Sequence, residues 1–271
     1  NNNVVVAGKT ISENFPQTDY SYSDKDNLFG SLLKLDADGK QLVFSSLFSG
    51  DCHDITIDKH NYIYITGQPS IEGFYTTHDA YDRTRDFNWA TTFVRKLTSD
   101  GKSLVYSTFI EACFPNCITC DDYGNAFIGG WTSYYEFPAT TGAYDTTYST
   151  TPEGAYQLDG FIAKLNPSGS QLVYATYFGG TDWDEITGIK IDSESNVIFC
   201  GTTKSTDLPV TENAPYPKIQ GADNLFLSRL DISHKKLLLS TYFWGNQAGS
   251  PSITLDTNNN IFMTGFIGTS P

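Results

Sequence analysis

The chain has 271 residues, 39% of them apolar, and its 31 acidic residues against 17 basic ones give a net charge of −14. That balance repels phosphate backbones and anionic lipid surfaces, so nucleic acid and acidic membranes are disfavoured as partners, whereas cationic groups, divalent ions and neutral glycans stay open. No run approaches the ~18 apolar residues of a spanning helix, so direct membrane insertion is not expected.

Taken from the N-terminus, Asn3-Val4-Val5-Val6-Ala7-Gly8 is the second half of a unit that returns as Asp58 to Gly67, Asp121 to Gly130, Asp192 to Gly201 and Asp256 to Gly265, with the Asp-to-Gly spacing unchanged. Seven residues after each Gly come Phe15-Pro16, Phe74-Tyr75, Phe137-Pro138 and Leu208-Pro209, and seven more reach Tyr22, Tyr81, Tyr144 and Pro215. A variable gap leads to an apolar segment that closes on Lys34-Leu35, Lys96-Leu97, Lys164-Leu165 and Arg229-Leu230. Another seven residues lead to Leu42, Leu104, Leu172 and Leu237, each opening a strand in which Ser46, Thr108, Thr176 and Thr241 fall in register.

The Gly-to-Gly periods are 59, 63, 71 and 64 residues and no helical periodicity is present. Period and strand count predict an all-β fold, a β-propeller of ~60–70-residue four-stranded blades. We read residues 1–271 as one propeller domain with repeats at about 1–57, 58–120, 121–191 and 192–255 and a partial repeat at 256–271.

With the strands lettered a to d, a ends at the repeat Asp, b ends near the repeat Gly, c ends at the basic-Leu pair and d follows it. In an up-and-down meander the a–b and c–d turns share one face, and the b–c and d–a connections share the other. The first pair is constant in length here and the second is not. Asp36-Ala-Asp-Gly39, Thr98-Ser-Asp-Gly101 and Asn166-Pro-Ser-Gly169 are hairpin turns whose Asn, Asp and Gly supply positive φ or a self-capping side chain. Strand b is apolar throughout in most repeats, as a strand covered on both faces is. Counting gives strands b, c and d of one blade, three complete blades, then a and b of another. That count leads us to expect a larger ring, with further blades from the same longer chain or from a partner, and a start at Asn-Asn-Asn in mid-repeat fits an excised piece.

These residues resemble the bacterial SBBP-type β-propeller repeat family. The third repeat carries the resemblance best, in Asp159-Gly-Phe-Ile-Ala-Lys-Leu165, Leu172-Val-Tyr-Ala-Thr-Tyr-Phe-Gly-Gly180, Ile191-Asp192 and Phe137-Pro138. The resemblance implies the fold, and it implies a module of a large exported or surface bacterial protein, hence an extracellular or cell-surface location. It implies no catalytic residue. The chain departs from the pattern at Phe109-Ile-Glu-Ala-Cys113, which lacks the Gly-Gly, at Phe74-Tyr75, which lacks the Pro, and at Leu230-Asp-Ile-Ser-His234, which lacks the turn Gly.

Cys113-x3-Cys117-x2-Cys120 has cluster-binding spacing, yet Cys120 aligns with Ile57, Ile191 and Leu255 and is expected as a buried core thiol. Pairing of Cys113 or Cys117 with each other or with Cys52 is preferred to metal, and Cys200 fills a small-residue position of strand b. Gly8-Lys9-Thr10 lacks the earlier Gly and the helix of a phosphate loop. The loops Asp256-Thr-Asn-Asn-Asn260 and Asp192-Ser-Glu-Ser-Asn196 alternate oxygen ligands as a calcium loop does, but tight-turn capping explains them better, so no cofactor is expected. The four histidines His53, His60, His78 and His234 stand in no nucleophilic arrangement.

The stronger functional signal is the set of aromatic and acidic residues in the variable connections: Trp131, Tyr134, Tyr135, Asp182, Trp183, Asp184, Glu185 and Trp244. Aromatic platforms beside carboxylates suit sugar rings and protein hot spots alike. The alternative is that these aromatics only seat the long insertions on the blades. The expectation is a non-catalytic scaffold or binding platform for a protein or glycan. The competing one is a polysaccharide-cleaving enzyme with a carboxylate pair in a cleft of the variable face.

Overall fold

A computed structural model describes residues 3–19, 21–24, 28–70, 72–86, 90–149, 157–243 and 247–268. They form seventeen strands and no helix. Strands β1 (Val4–Lys9), β2 (Leu28–Leu35) and β3 (Leu42–Ser49) make a three-stranded sheet. The first complete blade is β4 (Asp51–Ile57), β5 (Ile63–Gln68), β6 (Thr91–Leu97) and β7 (Leu104–Glu111). The second is β8 (Phe114–Cys120), β9 (Ala126–Thr132), β10 (Asp159–Leu165) and β11 (Leu172–Phe178). The third is β12 (Asp184–Ile191), β13 (Val197–Thr203), β14 (Asn224–Asp231) and β15 (Lys236–Phe243), and β16 (Gln247–Leu255) with β17 (Ile261–Gly268) forms a two-stranded sheet.

Each complete sheet runs in chain order, the meander of a propeller blade, and the fold class is the all-β, blade-repeat one expected. In the end sheets Ile253, Thr254 and Leu255 pair with Met263, Phe262 and Ile261, and Val4 to Val6 pair with Leu35 to Leu33. The chain divides into two compact units, residues 1–126 with 165–172, and residues 127–164 with 173–271.

The repeat Asp is explained by its turn. Oδ1 of Asp58 accepts from the amides of His60 and Tyr62, that of Asp121 from Tyr123 and Asn125, that of Asp192 from Glu194 and Asn196, and that of Asp256 from Asn258 and Asn260. One carboxylate oxygen thus satisfies two donors that a tight turn leaves unpaired, which is why the Asp recurs at constant spacing. The repeat Gly has another cause. Strand a carries a β-bulge opposite it, between Cys52 and Asp54 and again between Ile186 and Gly188. A Cβ on Gly67 or Gly201 would strike the carbonyl of Asp51 or Glu185. At Gly8, where β1 has only β2 beside it, a Cβ would meet nothing within 4 Å.

The long b–c insertions are strapped along strand d. Thr18, Thr77, Thr140 and Thr211 each donate N–H to the carbonyls of Ser45, Ser107, Ala175 and Ser240, with their hydroxyls accepting the return amide. The in-register threonines Thr108, Thr176 and Thr241 repeat the exchange with Asp82, Asp145 and Tyr216. This covers an edge that would otherwise offer free backbone groups to other chains. The insertion landmarks are packing residues: Phe74 lies 5.0 Å from Phe93, and Phe137 lies 5.0 Å from Phe161. For them the plain packing explanation holds.

The first unit has a core of Leu32, Phe44, Phe48, Ile63, Ile65, Phe93 and Phe109, and the second includes a cluster of Ile198, Cys200, Leu227 and Ile253. Strands β5 and β13 are buried at every apolar position, as expected of strand b, but β1 leaves Val4 and Val6 at 49% and 45% exposed. Where the repeat Gly-Gly is missing, Ala112 takes the left-handed backbone at φ 58°, and where the turn Gly is missing Lys235 does so at φ 55°.

The cysteine expectation needs correction. All five are free thiols, so the pairing expected among Cys52, Cys113 and Cys117 is not formed. Cys113 is instead fixed in its own strand corner, its Sγ 3.5 Å from the Ile110 carbonyl and 3.3 Å from the Thr92 hydroxyl, and burial raises its thiol pKa. Cys120 is partly rather than fully buried, and Cys200 is buried as expected.

Candidate functional site

Within the second unit the variable connections enclose a cavity of about 200 Å³. Leu158 comes from the end of the insertion before β10, Trp183 from the d–a connection, Asp184 and Glu185 from the start of β12, Thr202 and Thr203 from the end of β13 with Lys204 just beyond, and Asp223 from just before β14. Constant hairpin length brings these together. The a–b turn at Asp192 sets Asp184 opposite Thr203, and one further step places Trp183 against Lys204, whose amide donates to the Trp183 carbonyl at 2.8 Å. The corner is tied down by Asp184 N–H to Leu158 O at 2.7 Å, Trp183 N–H to Asp182 Oδ1 at 2.8 Å and Asp182 N–H to Ser205 Oγ at 2.9 Å.

Trp183 stands 49% exposed at this cavity. The Lys204 ammonium lies 4.7 Å from its ring centroid and 3.6 Å from Asp223 Oδ1. An indole face attracts a cation through its quadrupole. The site therefore holds an ammonium between a π face and a carboxylate.

Behind the cavity the acids behave differently. Asp184 and Asp159 are fully buried, 0% exposed in each case. Asp184 Oδ2 accepts from the Gly180 amide and the Ser205 hydroxyl, both at 2.7 Å, and Asp159 Oδ2 accepts from the Ser149 amide at 2.7 Å. Among the described residues Oδ1 of Asp159 has no hydrogen-bond partner, and the Thr203 hydroxyl lies beside the Asp184 carboxyl. Both carboxyls crowd Gly179, where a Cβ would meet Asp184 Oδ2 at 2.6 Å and Asp159 Oδ1 at 3.1 Å. Desolvation pushes both up to about 7, with the neighbouring Asp184 charge adding to the rise at Asp159 and the Asp207 charge to that at Asp184.

No family model matches the chain, and no curated protein does. Among solved structures it is similar to the Dos1 propeller, at 11% identity and a TM-score of 0.42 over 87% of this chain and 49% of that one. It is also similar to a gluconolactonase from Xanthomonas campestris, at 16% and 0.42 over 86% and 62%, so it spans less than two thirds of either protein. The Cps50 (Swd1) β-propeller domain of Myceliophteria thermophila is similar at 6% and 0.33 over 97% and 100%. None of these likenesses bears on the chemistry of the site.

Of the eight residues expected from sequence, Trp183, Asp184 and Glu185 line the cavity and Asp182 supports them. Trp131 is the next-to-last residue of β9 and half-buried, and Tyr134 and Tyr135 lie just beyond the strand, with the Tyr134 carbonyl accepting from the Tyr177 hydroxyl at 3.0 Å. None of those three lines the cavity. Trp244 lies outside the described residues. Sequence reasoning missed Lys204 and Asp223. Extending the constant a–b register one step past Asp184 points to Lys204, but Asp223 sits at the end of an insertion of variable length and carries no such signal.

A larger hollow of about 450 Å³ lies on the constant-turn side of the first unit, among His60, Tyr62, Thr98, Ser99 and Asp100. Its turn side chains are engaged locally, Thr98 with Asp100 and Tyr62 under the Lys96 ammonium at 4.6 Å. Among the described residues no three of His, Cys, Asp and Glu are grouped to hold a metal ion.

Proposed function

We propose that this chain is a non-catalytic binding module of an exported or cell-surface protein, and that its ligand is a glycan received on Trp183 and the cavity beside it. The observation that carries this reading is a half-exposed indole at a cavity otherwise lined mostly by polar side chains, Glu185, Thr202, Thr203, Lys204 and Asp223. A sugar ring needs that combination, an apolar face to stack on and polar groups for its hydroxyls. The volume is of the order of a single sugar residue, so the module would grip one unit of a longer chain. Asp159 and Asp184 are fully buried and out of reach of a scissile bond, which leaves Glu185 and Asp223 as the acids at the cavity.

A glycan-array screen of the intact protein tests this, followed by Trp183→Ala on the best ligand. The expected loss is roughly tenfold or more in affinity with an unchanged melting temperature, the size of a lost aromatic anchor. Binding that survives Trp183→Ala, or that maps to the constant turns around Asp100, would overturn the assignment.

A further inference from the structure

Resting on that reading, we infer that the glycan recognised at Trp183 carries a primary ammonium group, as a 2-amino-2-deoxy sugar does, and that Lys204 occupies the ammonium position until such a ligand displaces it. Three observations lead there. The Lys204 ammonium already sits where a ligand cation would, 4.7 Å above the indole centroid and 3.6 Å from Asp223 Oδ1. A π face opposed by a carboxylate is the pairing that recognises ammonium groups in general. Next, the cavity wall sets Glu185 and Asp223 against the single base Lys204, within a chain of net charge −14. Such a field concentrates cations and turns acidic sugars away.

The Lys204–Asp223 ion pair is also open to exchange. The Lys204 and Asp223 side chains are 45% and 30% exposed. An ion pair that exposed contributes little, and a lysine stem has many rotamers, so the ammonium swings into solvent at small expense when a ligand amine takes its place. A sugar amine then keeps the same two contacts while its ring covers the indole. An N-acetylated or neutral sugar would leave Asp223 without a cation once Lys204 is pushed aside.

The experiment is calorimetric titration of the intact protein with β-1,4-linked glucosamine oligomers and, separately, with their fully N-acetylated counterparts of the same length, at mildly acidic pH, where the sugar amines are protonated, and low salt. The amine form should bind about tenfold more tightly, the value of one added charge-assisted contact. Lys204→Met should strengthen amine binding severalfold by removing the internal competitor, Asp223→Asn should erase the preference, and Trp183→Ala should weaken both oligomers. Melting curves of each variant confirm folding. Equal or tighter binding of the N-acetylated oligomers overturns the inference and leaves the glycan reading standing, as does Lys204→Met weakening the amine form. Failure of every saccharide on the array removes the glycan reading and this inference together. Binding of a lysine-rich peptide in place of any saccharide has the same effect and assigns the site to protein recognition.

Discussion

Asp24 in the first unit and Asp184 in the second are both carboxylates withdrawn from water, but their surroundings differ in sign. Asp24 meets Arg95, whose guanidinium is 2.8 Å away at Nη1 and 3.3 Å at Nη2, and it also accepts from the Ser49 amide and the Tyr22 hydroxyl. Arg95 is itself enclosed, with Phe74 3.9 Å and Tyr22, Phe48 and Phe93 5.6 to 5.7 Å from its carbon to the ring centroids. Asp184 meets Asp159. No described cation faces that pair, and the neighbouring segment 150–156, Thr-Thr-Pro-Glu-Gly-Ala-Tyr, contains no basic residue. A buried carboxylate is tolerated when a cation pairs with it, and without one its burial raises the affinity for a proton, as the upward shifts at Asp159 and Asp184 express.

Breaking the paired site gives the largest expected effect. Arg95→Met strands Asp24 in an aromatic enclosure and should cost about 3–5 kcal/mol by urea unfolding, whereas a double change to Asp24→Leu with Arg95→Met should restore most of it. A loss near zero for the single variant would mean that Asp24 is not held by Arg95.

The acid pair is sharpened by pH. Its folded pKa values lie near 7, above the ordinary 3.8, so the folded state binds the proton more tightly than the unfolded one. The stability it confers is then complete below about pH 4 and is lost as pH rises through about 7, opposite to the usual carboxylate. Asp184→Asn supplies a permanently neutral group that still accepts from Gly180. It should lessen the fall in unfolding free energy between pH 5 and 8, with Asp159 still titrating, and raise the value at pH 8 by on the order of 1–3 kcal/mol. A wild-type protein whose stability climbs across that range would show that the pair stays charged.

Asp192 is a smaller intermediate case, since its side chain is fully buried, caps its turn and also meets Arg229. Asp192→Ala should cost about 1–2 kcal/mol with ligand affinity unchanged, because the turn faces away from the b–c and d–a connections. The smallest effect is at Ala112, where Glu111 and Ala112 replace the Gly-Gly of the corner that holds Asp184. Ala112→Gly should gain about 0.5 kcal/mol by relieving its positive φ, measured as a rise in melting temperature.

The sequence by itself determined the blades. Asp-to-Gly spacing, constant turns and strand count all reappear as observed strands, because turn capping, bulge clearance and alternation act over a few residues and leave a periodic trace. It also marked Asp182 to Glu185, since aromatic and acidic residues in a variable connection stand out against the repeat. Only the tertiary structure decided which of those side chains face solvent. Trp183 and Asp184 are neighbours in sequence, yet one is a half-exposed platform and the other a sealed acid, because the strand pleat sends successive side chains to opposite sides. It also decided the partners. Arg95 finds Asp24 from 71 residues away, and Asp159 is set beside Asp184 across a sheet corner. Charge pairing at that range depends on how blades and insertions fold together and leaves no local pattern to read.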